Sequence, residues 1–81
     1  MDYDKDKVDE MALALLYLTS FREKKEYPLM AWKGMDWDIL DRLHEKGLIG
    51  DAKNKNKSIT FTDQGAELAE KLFNQHFAVE K

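Results

Sequence analysis

The sequence predicts a small α+β domain. Three observations carry this: helical apolar spacing near both ends of the chain, a helix between them that Gly47 stops, and polar/apolar alternation at Ser58-Ile59-Thr60-Phe61. With 81 residues there is room for one hydrophobic core, so residues 1–81 are read as a single domain. Hydrophobic residues make up 43% of the chain and charged residues 36%, the balance of a folded domain rather than a disordered one.

The first helix is expected from about Asp4 to Lys25. Val8, Met11, Ala12, Leu15, Leu18 and Arg22 recur at helical spacing. Acidic residues at its start and Arg22, Lys24 and Lys25 at its end suit the helix dipole. A second row, Leu13, Leu16, Tyr17 and Phe21, lies on a neighbouring flank, so Met11 to Leu18 is apolar nearly all the way round. A surface helix needs only one such stripe. The surplus predicts a second cover, and the simplest supplier is another copy of the chain: a homodimer through Leu13, Leu16, Tyr17 and Phe21.

Tyr27-Pro28 breaks this helix, because proline disfavours helical geometry at the residue before it, yet it can open a new helix. A short helix from Pro28 to Lys33 is therefore expected. Asp36 then caps a third helix, Trp37 to Lys46, with Trp37, Leu40, Leu43 and His44 inward. Gly47 supplies a left-handed stop. Leu48-Ile49 and Ser58 to Phe61 read as two strands joined by a polar loop from Gly50 to Lys57. Thr62 caps the last helix, Asp63 to about Phe77, which turns Leu68, Ala69, Leu72, Phe73 and His76 to one face.

That order carries the string Leu40-x-x-Leu43-x-x-x-Gly47-Leu48-Ile49, a basic loop, then Ile59-Thr60-Phe61-Thr62-x-x-Gly65-x-x-Leu68-Ala69. Over roughly Leu29 to Phe73 it resembles the winged helix-turn-helix superfamily, and within it small bacterial regulators of the multiple-antibiotic-resistance and phenolic-acid-repressor types. The resemblance implies a third helix that enters the DNA major groove and a wing that touches phosphates. Lys53, Lys55 and Lys57 would then be the wing contacts and Arg42 the groove contact. One such scaffold also hosts dimerisation and protein docking.

Charge bears on that choice. The chain is net −3, the wrong sign for a protein that works by neutralising phosphates. Asp36 to Lys46 places Asp36, Asp38, Asp41 and Glu45 against Arg42 and Lys46, so the groove-facing helix is itself acidic, while the three loop lysines face only Asp51. At ~7 Å in water each carboxylate meets each phosphate with roughly 0.6 kcal/mol of repulsion. Two functions stay open: a DNA-binding regulator that relies on a basic wing, and a protein-interaction or dimerisation module on the same scaffold.

Other chemistry is thin. With no cysteine there is no thiol nucleophile, thiolate zinc site or iron–sulfur cluster. Asp2-x-Asp4-x-Asp6 starts like a calcium loop, but Lys7 and Leu13 stand where that loop needs Gly and Glu. His44 and His76 are too few for a metal site, and neither is paired with a nucleophile. No enzyme activity and no cofactor are expected. Asn56-Lys57-Ser58 is a chance glycosylation sequon, and no stretch approaches the ~20 apolar residues of a membrane span, so a cytoplasmic protein is expected. Among the aromatics, Trp37 is assigned to the core, while Trp32, near Met30 and Met35, stays open between packing and partial exposure at a partner surface.

Overall fold

The computed structural model describes residues 1–53 and 56–79. Its element order is α1 (Lys5–Leu18), β1 (Met30–Trp32), α2 (Trp37–Glu45), β2 (Ser58–Thr60) and α3 (Asp63–His76). Three helices and an antiparallel strand pair make the α+β arrangement and a winged-helix-like topology.

Local chemistry sets the helix ends. The Lys7 amide donates to the Asp4 carboxylate at 3.1 Å, capping α1. At its other end the Thr19 and Ser20 hydroxyls donate back to the Leu16 and Tyr17 carbonyls, competing with the next helical bonds. The helix therefore stops at Leu18 instead of reaching Lys25, and Phe21 turns extended to exchange two backbone bonds with Met30. Gly47, at φ 74°, ends α2: its amide donates to the His44 carbonyl and that of Leu48 to the Leu43 carbonyl. The Thr62 hydroxyl accepts from the Gly65 amide at 2.9 Å and donates to the Gly47 carbonyl at 2.7 Å, tying the end of α2 to the start of α3. A Cβ at Gly65 would sit 1.7 Å from the Leu48 carbonyl oxygen, so only glycine permits this approach.

The expected short helix at Pro28 to Lys33 is a strand. β1 pairs with β2 in the register Met30↔Thr60, Ala31↔Ile59, Trp32↔Ser58. Pairing satisfies backbone groups that one turn of helix would leave open, and it buries Ala31. The expected pairing of Leu48-Ile49 with the second strand survives as a bridge, Ile49↔Phe61, flanking β2 on its other side. Asp36 stands at the start of α2 but makes no side-chain capping bond.

α1 packs against α3, and also against α2 and β1. The core runs from Leu13 and Leu16 through Leu40, Leu43 and Ile49 to Ile59, Phe61 and Leu72. Leu13 and Leu16, assigned to a dimer face, are buried within the single chain, because α2 and α3 already cover their side of α1. Tyr17 stacks on Phe73 of α3 at 5.6 Å and Phe21 on Trp32 of β1 at 5.2 Å, so this row is spent on intrachain packing. Trp37 is not in the core: it is 53% exposed. The inward side of α2 is held by Leu40 and Leu43, with Ile39 partly buried beside them, and Trp37, on the first turn, lies under the Lys33 ammonium at 5.7 Å.

Candidate interaction surfaces

The face of α2 that would meet a DNA groove is acidic. Asp38 and Glu45 are exposed and Asp41 is half-buried. Arg42, the expected groove contact, points the other way. Its Nε donates to both Asp9 oxygens at 3.0 and 2.9 Å, and its Nη2 donates to Oδ1 at 2.8 Å. Lys46 joins from the next turn, donating to Asp9 and to Asp6 at 2.9 Å each. Arg42 and the C-cap Lys46 are thus both engaged by α1, and the other side of α2 keeps Asp38 and Glu45 exposed, with Asp41 half-buried 3.8 Å from the Lys53 ammonium.

Asp9 is the buried charge that sequence reading missed, 1% exposed beside Leu13 and Leu16. Burial pushes its carboxyl pKa up, but the bonds from Arg42 and Lys46 outweigh this and hold it below the ordinary 3.8. The same bonds raise Lys46 and Arg42 above their ordinary values. The signal available was a carboxylate one turn before Leu13, at the head of the inward row, a position tolerated only when a partner is supplied. Asp6, Asp9 and Lys46 line a cavity of about 330 Å³ with Leu13, Leu43 and Leu68. Among the described residues no buried side-chain nitrogen or oxygen lacks a partner, so no idle polar group is aimed into it.

The wing residues divide. Lys53 is exposed, its ammonium 3.8 Å from the Asp41 carboxylate, and its amide is held by Asp51 in a tight turn. Lys57 is exposed, and its carbonyl accepts from the Lys33 amide at 3.0 Å, which brings Lys33 beside the end of the loop that carries Lys53. Lys55 lies outside the described residues. His44 Nδ1 is 3.1 Å from the Ile49 carbonyl, the geometry of a donated bond that fixes the loop after α2. Among the described residues no three His, Asp or Glu side chains converge in a set able to hold a metal ion.

A second surface lies on the outer side of α1. Val8 and Met11 are half-buried there, and Leu15 and Leu18 are 41% and 61% exposed. Met35 and Ile39, from the start of α2 and the loop before it, form the other bank of a shallow groove of about 290 Å³ floored by Ala12. Lys7 is its one charged wall residue. The ring contact of α1 with α3, Tyr17 on Phe73, lies on another flank of the helix, while Met35 and Ile39 also pack partly against the core.

Among the described residues no helix is long and apolar enough to cross a membrane. No solved structure matches the chain. Uncharacterized protein y4hR of Sinorhizobium fredii is 49% identical to it over 77 residues, covering 95% of this chain and 97% of that protein. The family described as "Domain of unknown function (DUF6429)" matches residues 4–79, and the chain therefore belongs to that family.

Proposed function

We propose that this protein is a non-enzymatic protein-interaction module on a winged-helix-like scaffold, acting in the cytoplasm, that docks through the outer side of α1. The observation that carries the reading is the row Val8, Met11, Leu15 and Leu18 lying open beside the Met35–Ile39 bank, a second apolar stripe on a helix whose other side already builds the core. The acidic, arginine-depleted face of α2 supports it from the other direction, since a groove reader needs free cations where this helix presents Asp38, Asp41 and Glu45. A photo-crosslinking side chain at position 15 is expected to yield adducts in cells, and one at exposed Glu70 on α3 is not. No adduct from position 15 sinks the reading.

A second reading, DNA binding through the wing, is favoured by one observation: the Lys33–Lys57 backbone bond sets these two residues side by side at one end of the strand pair, and Lys53 stands in the loop that leads to Lys57. It predicts duplex binding whose affinity falls with salt at a log–log slope of about −3 for one set of three loop lysines, and whose loss follows Lys53, Lys55 and Lys57→Ala. Fluorescence anisotropy at low salt with the wild type and this variant decides it. Absence of binding, or binding indifferent to the lysines, removes the DNA reading.

A further inference from the structure

We infer that the partner seated on the outer side of α1 is a second copy of this chain, with the two α1 helices antiparallel about a two-fold axis. The inference rests on the docking reading above and names its occupant.

The spacing is the first argument. Val8, Met11, Leu15 and Leu18 advance by alternate steps of three and four, the rhythm of a two-helix seam, whereas the stripe spent on the core is offset from it around the helix and contains Asp9. Ala12 keeps the groove floor low between this row and Met35–Ile39, so a side chain from a facing helix has a hole to enter. In an antiparallel seam centred between Met11 and Leu15, Met11 faces Leu15 of the second copy and Val8 faces its Leu18. Each knob then meets a residue of similar length, and both copies use the same patch, as a two-fold interface requires.

Charge selects the orientation. Before the seam Asp2, Asp4 and Asp6 outnumber Lys5 and Lys7, and in the exposed turn after it Arg22, Lys24 and Lys25 outnumber Glu23 and Glu26, so the two ends differ in net sign. Antiparallel packing opposes the two helix dipoles and turns the net-acidic start of each α1 toward the net-basic turn of the other copy; parallel packing aligns the dipoles and forgoes that match. Size sets the strength. α1 has 14 residues, so it is about 21 Å long, and the seam is limited to the four outward residues with the Met35–Ile39 bank, a small contact beside a standard interface of ~20 residues a side. A dimer that dissociates on dilution is therefore expected.

Sedimentation of the purified full chain up to about 200 μM is expected to show a monomer–dimer equilibrium, weakened at least tenfold by Leu15→Glu and, separately, by Leu18→Glu. Unchanged far-UV circular dichroism verifies that each variant folds, since both side chains project outside the core. The absence of native cysteine makes the register testable by disulfide formation. A mixture of Met11→Cys and Leu15→Cys chains is expected to crosslink between variants faster than either crosslinks to itself. A monomer at about 200 μM, a dimer indifferent to both glutamates, or self-crosslinking that outpaces the mixture overturns the inference. A monomer that still gives heterologous adducts from position 15 overturns it while leaving the docking reading intact, and loss of all adducts overturns that reading itself.

Discussion

On the inward stripe of α1, Leu13 and Leu16 are buried and share their side of the helix with a charged residue, Asp9. On the outward stripe, Val8, Met11, Leu15 and Leu18 are all apolar and yet reach solvent. Apolar content therefore did not decide which stripe faces the core; the neighbours did. α3 supplies Phe73 against Tyr17, and α2 supplies Arg42 and Lys46 against Asp9, which lets a carboxylate enter where four hydrophobic residues stay out. A buried ion pair of this kind contributes little net energy over an apolar replacement, but removing one member is costly. Asp9 thus reads as a residue that fixes how α2 is set on α1.

Four measurements test this division between inside and outside. Leu13→Ala is expected to cost roughly 3 to 4 kcal/mol, a large part of the total stability of so small a domain, whereas Leu15→Ala should stay within about 0.5 kcal/mol. Urea denaturation at a concentration low enough to keep the protein monomeric measures both, and equal losses would erase the distinction between the stripes. Next comes Asp9→Ala, which strands Arg42 and Lys46. Both cations keep some contact with water, so a loss of about 2 kcal/mol is expected rather than the larger cost of a fully enclosed pair.

The third test is acid. Because the folded Asp9 carboxyl lies below 3.8, its contribution is present above that value and disappears as pH falls through the folded pKa. The stability gap between wild type and Asp9→Asn should be flat above about pH 5 and close on further acidification, as followed by thermal melts in a pH series. A gap that widens in acid contradicts the pairing. Smallest of all is Trp37→Ala. With its ring half in solvent this substitution should shift stability by no more than about 0.5 kcal/mol, and a loss of several kcal/mol would return Trp37 to the core.

Much of the fold was legible because its signals are local. Gly47 after a helical row, Thr62 three residues before Gly65, and Leu40 with Leu43 each announce a bond or a face that closes within one turn, and each stands in the structure where it was expected. Trp37 was misplaced because size and spacing put it in line with Leu40, while the core ends before that first turn. The candidate site was less legible. Arg42 looked free for a phosphate because its partner lies 33 residues earlier, and Leu13 and Leu16 looked available to a second copy because their cover is α3, at the other end of the chain.

From sequence alone came three helices, the Thr62 cap, the Gly47 stop, an extended segment at Ser58–Thr60, an acidic α2 and a lysine-bearing loop, since each depends on bonds or charges between residues a few positions apart, whereas the expected end of α1 and the expected Asp36 cap of α2 were not met. Only tertiary structure decided that Met30–Trp32 is a strand, because a three-residue segment has no stable geometry until Ser58–Thr60 accepts its backbone bonds. It also decided that Gly65 must lack a side chain, because the Leu48 carbonyl occupies the space, and that the Val8–Leu18 stripe of α1 faces outward. Inside and outside are properties of what covers a surface, and the cover comes from elements far away in the chain.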